Sequence, residues 1–303
     1  MPKTAEYGGF CIESVIKMSD LKRVAAIHDL SGVGRCSLSV IFPTLSVMGI
    51  QVCAVPTALL STHTNGYGDV ILKDMTDYIP DALRHYISAE IGFDCIYSGF
   101  LASEDQVTHC LEFMDSFKGA LRVVDPVMGD GGKRYRTYDD ALCRRMGELV
   151  AAADIITPNL TEASILLGTP YPSAPLTVGE VKKTLVKLAA KGPKIVVITS
   201  VMMADGEVCN VGYDSEHNAF WRVPYEMIPR SYPGTGDIFA SILTGGILLG
   251  DSLPISMTRA TSFCEYAIKT TFGYGAPVRE GVMLEKCLPM LVEQRTFTEY
   301  KQL

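Results

Sequence analysis

The run Tyr232-Pro233-Gly234-Thr235-Gly236-Asp237 leads straight into the apolar segment Ile238-Phe239-Ala240-Ser241-Ile242-Leu243. Glycine lets the backbone take positive φ and approach a ligand closely. A helix starting there points unpaired N–H groups forward with the positive end of its dipole behind them, which makes an anion site. Asp237 falls in the first turn, where its charge suits the dipole but would repel a phosphate. Such a placement makes sense if the carboxylate removes a proton from an attacking hydroxyl. A glycine turn followed by an acidic residue is also common on structural grounds, so the remaining chain must decide.

Asp125-Pro126-Val127-Met128-Gly129-Asp130-Gly131-Gly132 puts two carboxylates across a glycine-rich turn. Asp125 directly follows an apolar run, and a strand-end aspartate facing phosphates is a natural magnesium partner. Asp130 could equally cap local backbone in a solvated turn. Asn159 and Glu162 share one helical face, either around the water shell of a magnesium ion or as a capping box. Spacing alone favours the capping box. His63-Thr64-Asn65-Gly66-Tyr67-Gly68 is a polar loop, and nothing nearby pairs His63 with a serine or cysteine nucleophile. There is no G-x-x-x-x-G-K-[ST], and Gly32-Val33-Gly34 lacks the third glycine of a dinucleotide fingerprint.

The elements that must position these groups alternate. Val24–Ile27, Gln51–Val55, Asp94–Tyr97, Leu121–Val124, Asp154–Ile156 and Ile195–Ile198 read as buried strands. Helices are expected around Arg35–Met48, Asp69–Ser88, Glu104–Phe117, Tyr138–Ala151 and Thr177–Ala190. His28-Asp29 and Ser31–Gly34 are expected to form the turn after the first strand. Val208–Tyr213 and Phe220–Val223 read as an antiparallel edge hairpin across Asp214–His217, followed by two or three C-terminal helices. The alternation predicts a mostly parallel sheet covered on both faces. In such sheets ligands bind beyond the carboxyl ends of the strands. His28-Asp29, Ser98-Gly99, Asp125, Thr157-Pro158-Asn159 and Thr199-Ser200 fall there, which suggests one shared cleft. The Asp214 hairpin and the Gly129–Tyr135 turn are the candidate lids.

The 303 residues are 48% hydrophobic, with 27 basic and 34 acidic side chains and a net charge of −7. With no basic block, nucleic acid and anionic membrane are poor partners. Nine cysteines include no C-x-x-C pair, as expected of free thiols in a reducing cytoplasm. The start does not read as a signal peptide, and Ile238–Leu249 is too short and glycine-broken to span a bilayer. Residues 1–20 read as an extension and 21–303 as a single domain.

Together these motifs resemble the ribokinase superfamily and, within it, the pyridoxal kinase branch. The resemblance runs from about Arg23 to Glu285. It rests on Gly-Thr-Gly-Asp, on Asp-Pro-Val-Met-Gly-Asp, on Ile-Ile-Thr-Pro-Asn-x-x-Glu at Ile155–Glu162 and on Ser-x-His-Thr at Ser61–Thr64. His28–Gly32 is similar to the opening of bacterial pyridoxal or pyridoxamine kinases. The resemblance implies an α/β fold, a ribokinase-like three-layer α/β/α sandwich. It implies in-line phosphoryl transfer from ATP to the 5′-hydroxymethyl group of pyridoxal, pyridoxamine or pyridoxine, with Asp237 as base. Backbone N–H groups from Gly234 through Thr235 to Gly236 would form the anion hole. Thr157, Thr199 and Thr235 would touch ATP phosphates, Asp125, Asn159 and Glu162 would surround magnesium, and Asp130 would lie near the phosphates. Asp29, His63 and Thr64 would face the substrate, and Phe100 would stack on its ring. Other members tend to have serine at Asp29 and tyrosine at Phe100. The resemblance also implies a homodimer and leaves open a monovalent cation such as K+. The alternatives are a hydroxymethylpyrimidine kinase, whose members commonly have cysteine in place of Asp237, and a non-catalytic binder of pyridoxal phosphate or nucleotide.

Overall fold

Val24 and Ala26 point into one apolar core while Ala25 and Ile27 point into another, as the two-residue period of a strand requires. That alternation puts one sheet between two helical layers. The computed structural model describes residues 21–292 and 300–303; the expected 1–20 extension lies outside the described residues.

The strands are β1 (Arg23–Val33), β2 (Gln51–Thr62), β3 (Leu72–Asp74), β4 (Cys95–Ser98), β5 (Leu121–Val124), β6 (Gly129–Asp130), β7 (Lys133–Arg134), β8 (Ile155–Ile156), β9 (Ile195–Met202), β10 (Val208–Asp214), β11 (Ala219–Tyr225) and β12 (Lys301–Gln302). The main sheet runs β12-β11-β10-β9-β8-β5-β4-β1-β2-β3. Its centre, β2 to β9, is parallel, and β3, β10 and β12 pair antiparallel with their neighbours. The principal helices are α1 (Leu38–Val47), α2 (Tyr78–Ser88), α3 (Glu104–Ser116), α4 (Asp140–Ala152), α5 (Leu160–Leu167), α6 (Val178–Ala189), α7 (Thr235–Leu248) and α8 (Leu253–Gly273). Helices α2 to α6 supply one core, and α1, α7 and α8 the other. This is the expected three-layer α/β/α sandwich.

Four local expectations change. The helix expected over Asp69–Ser88 begins only at Tyr78, because Leu72–Asp74 pairs with β2 as an edge strand and Asp74 Oδ1 accepts the Thr76 N–H at 2.7 Å. The turn expected at His28–Gly34 is largely strand: β1 continues beside β2 to Val33, with a break in register at Asp29. The first helix starts at Leu38, not Arg35, because residues 35–37 make a tight turn. The Asp214 hairpin packs its tip on Lys194, before β9, through the Ser215 N–H to the Lys194 carbonyl at 2.9 Å. That is the amino end of the parallel strands, so this hairpin cannot close over a cleft at their carboxyl ends. The Gly129–Tyr135 segment, folded as the β6–β7 hairpin, lies at the correct end.

Candidate active site

Gly234 opens α7 from the left-handed region, with φ 81°. A Cβ there would be driven into the Arg35 carbonyl oxygen, so only glycine lets the chain cross the turn before α1 so closely. The first intrahelical bond runs from the Ile238 N–H to the Gly234 carbonyl at 3.0 Å. The N–H groups of Thr235, Gly236 and Asp237 therefore have no partner within the helix. Asp237 is 9% exposed. Its Oδ2 accepts the Ser37 backbone N–H at 2.8 Å and the Cys36 thiol at 3.5 Å. Burial pushes its pKa up to about 6, with the Ser37 N–H opposing and the Asp29 charge adding to the rise. A carboxylate poised just below neutral is matched to general-base work.

The turn carrying Cys36 and Ser37 adjoins Asp237. Ser37 is buried with φ 51° and ψ −132°, a conformation that costs a non-glycine residue about 1–3 kcal/mol. Burial, with Asp237 and Asp29 nearby, keeps Cys36 a neutral thiol by pushing its pKa up. Asp29 is 6% exposed and sits at the register break of β1, a feature that re-aims side chains. Burial raises its pKa against hydrogen bonds from Ser37 and Ser31.

Asp125 at the end of β5 is raised well above the usual carboxylate range by burial, then by the charges of Glu162 and Asp237, with the Thr157 hydroxyl opposing. Glu162 is pushed up to about 8, first by burial. Asn159 and Glu162 do form a capping box at the start of α5. The Asn159 amide oxygen is fully engaged, Oδ1 accepting the Thr161 and Glu162 N–H groups, and Nδ2 donates to the Gly129 carbonyl at 2.8 Å. Direct coordination by Asn159 would break these bonds. Among the described residues no three His, Cys, Asp or Glu groups are placed to hold a metal by themselves. Two buried carboxyls without a cationic partner do fit a magnesium ion whose shell is completed by phosphate oxygens and water, that ion's usual mode. Asp130 is exposed on the β6–β7 hairpin. Thr199 pairs its backbone with Asn159 and Pro158 at the end of the β9 core. Thr157 is buried at the end of β8, beside the β9 strand that carries Thr199, whereas the Thr235 hydroxyl donates to the Tyr232 carbonyl at 3.0 Å.

On the other side of Asp237, His63 is buried with both ring nitrogens engaged. Nδ1 accepts the Asn65 N–H at 3.1 Å, so Nε2 carries the proton and donates to the Arg279 carbonyl at 2.6 Å. Its job here is to tie two loops, and Thr64 beside it is exposed. Phe100 packs edge-on against Tyr138 with ring centroids 6.0 Å apart. Three residues the sequence reading passed over join the site: Cys36, Ser37 and Tyr135. Partial burial and then the charges of Glu162 and Asp130 raise the Tyr135 phenol, and the residue follows the β6–β7 hairpin with its N–H on the Met128 carbonyl at 2.9 Å. No periodicity or motif marks Tyr135, and a positive φ at a serine leaves no sequence signal.

Against known proteins, the chain matches the family described as phosphomethylpyrimidine kinase over residues 42–281. It is similar to a crystal structure assigned to a phosphomethylpyrimidine kinase from Bacteroides thetaiotaomicron, at 41% identity and a TM-score of 0.91, covering 95% of this chain and 100% of that one. A second crystal form of that protein contains pyridoxal. Pyridoxal kinase from Lactobacillus plantarum superposes with a TM-score of 0.83 at 33% identity, over 90% of this chain and 97% of the other. Bovine pyridoxal kinase is 30% identical over 67% of this chain and 69% of its own length.

Proposed function

The chain belongs to the phosphomethylpyrimidine kinase family, and we infer that it phosphorylates the 5′-hydroxymethyl group of a vitamin B6 vitamer with ATP as donor. The observation that carries this reading is Asp237, a buried carboxyl poised near pH 6 beside three N–H groups that have no partner within the helix they begin. In the reaction Asp237 takes the hydroxyl proton as the alcohol oxygen attacks the γ-phosphorus and ADP departs. The N–H groups of Thr235, Gly236 and Asp237 stabilise charge on the transferring phosphoryl, where most of the catalytic demand lies. Thr157, Thr199 and Thr235 line the phosphate path, and Asp29, Thr64 and Phe100 form the substrate wall. Asp125 and Glu162 would hold a magnesium ion, which supplies charge neutralisation between the phosphates. A cytoplasmic location and a homodimer complete the reading, with a monovalent cation such as K+ left open.

Transfer to hydroxymethylpyrimidine is the second reading, favoured by the name of the matching family. It needs the same base and anion hole and differs in the ring. The test is ATP turnover with pyridoxal, pyridoxamine, pyridoxine and hydroxymethylpyrimidine side by side, wild type against Asp237→Asn. Phosphorylation of a vitamer that the variant loses while still binding ATP supports the first reading. Activity on the pyrimidine alone moves the protein to the second, and none on any of the four sinks both.

A further inference from the structure

Four non-glycine residues among the described ones take left-handed φ: Ser37, Glu90, Ser200 and Asn218. Glu90 and Asn218 sit in exposed turns, and Ser200 is exposed within β9 at the register shift against β10. Ser37 is 4% exposed and touches the reacting group. Its backbone N–H meets Asp237 Oδ2 at 2.8 Å, with the Cys36 thiol on the same oxygen. Among the described residues no donor reaches Oδ1. One oxygen is pinned and the other is left open.

We propose that Ser37 is the positioning residue of Asp237: its backbone N–H, aimed by the left-handed turn, fixes the carboxylate so that Oδ1 faces the substrate hydroxyl. This rests on the kinase reading above. Unfavourable backbone survives where its surroundings over-determine it, and this turn is held from every side. The Arg35 N–H donates to the Glu280 carbonyl at 3.1 Å. Gly234 packs against the 35–36 backbone. The Ser39 hydroxyl donates to the Ser31 carbonyl at 2.7 Å. The Ser37 carbonyl meanwhile accepts the Val40 and Ile41 N–H groups, each at 3.0 Å, and starts α1. Among the described residues the Ser37 hydroxyl reaches the Cys36 sulfur at 3.7 Å and the Asp29 carboxyl, and it does not cap α1. The conformation, rather than the side chain, performs the task, so glycine should serve as well and a β-branched residue should not.

The experiment compares Ser37→Gly, Ser37→Val and Ser37→Thr in steady-state kinetics, with thermal unfolding and ADP binding as checks on folding. Ser37→Gly should keep kcat within a few-fold. Ser37→Val should lose about 100-fold in kcat, the scale of a misplaced reacting group, with KM for ATP and alcohol little changed and ADP still bound. If valine prevents folding, Ser37→Thr, also β-branched, gives the same comparison. Equal losses in the glycine and valine variants would assign the work to the hydroxyl and overturn the proposal, as would full kcat in a folded valine variant. A wild type inactive on every alcohol would overturn the kinase reading instead. The orientation of the Asp237 carboxylate in crystals of Ser37→Gly and Ser37→Val then decides the Ser37 assignment, which an unmoved carboxylate in Ser37→Val would overturn.

Discussion

Asn159 and Glu162 hold each other in place: Asn159 Oδ1 accepts the Glu162 N–H at 3.0 Å while Glu162 Oε2 accepts the Asn159 N–H at 2.8 Å. The carboxylate that caps α5 is also buried, with the Asp125 carboxyl close by. Glu162 thus serves the fold through its hydrogen bonds and opposes it through its charge.

That conflict predicts a stability profile. The Glu162 pKa is raised from 4.5 to about 8 in the fold, with burial the main cause. Between those values the native state binds more protons than the unfolded chain, so unfolding free energy falls as pH rises through that window. Magnesium-free protein should therefore melt lower at pH 8 than at pH 5, by about 2–4 °C for each kcal/mol lost. Added magnesium, binding the native state, should recover part of the difference. In Glu162→Gln the slope should flatten, and an unaltered slope in that variant would show that Glu162 is not its source.

Asp237 predicts a rate profile. With a pKa raised to about 6, mainly by burial, the base is protonated below that value, and kcat/KM should climb through pH 6 to a plateau. Asp237→Asn should lose roughly 10²–10⁴ in kcat and keep ADP binding. The same variant should be more stable than wild type above pH 6, because it no longer buries a charge there. An acid limb centred below pH 5 would contradict the burial argument.

Much of this was legible in the sequence because the relevant physics is local. Val24–Ile27 and the strands after it announced a parallel sheet by composition and length alone. Gly234–Asp237 announced the start of a helix, α7, after a glycine turn, as observed. The Asn159 and Glu162 spacing announced the capping box that is observed. What stayed hidden depends on long-range contact. Asp29 is aimed by a register break between β1 and β2, Ser37 by clamps from Glu280 and Gly234, and His63 by a carbonyl more than two hundred residues away. The Asp69–Ser88 stretch misled because a short strand paired at the sheet edge overrode its helical pattern.

Two glycines in one motif should fail differently. At Gly234 φ is 81° and a Cβ would strike the Arg35 carbonyl and the Cys36 backbone, whereas a Cβ at Gly236 meets nothing within 4 Å. Gly234→Ala should lower both stability and activity, with a loss of a few kcal/mol in the range of strained backbone and core clashes. Gly236→Ala should melt like wild type yet lose kcat, because the added methyl stands where the phosphoryl group must approach. Thermal unfolding and turnover on the two variants check this together. Matching Tm losses would mean that Gly236 is a structural glycine and not part of the anion hole.

His63 tests whether the substrate wall acts by contact or by being held. The sequence placed it among the substrate-facing residues, but its two nitrogens bond the Asn65 N–H and the Arg279 carbonyl, joining the loop after β2 to the turn that also clamps Arg35. His63→Ala removes a buried hydrogen-bonded tie worth about 0.5–1.5 kcal/mol. The Thr64 loop should loosen, so KM for the alcohol should rise by roughly 2- to 10-fold, the same energy expressed as affinity. Values of kcat and KM for ATP should stay near wild type, because Asp237 and the helix start are held by other contacts. A fall in kcat approaching that of Asp237→Asn, with KM unchanged, would place the imidazole in the chemistry instead and reverse the reading given by its hydrogen bonds.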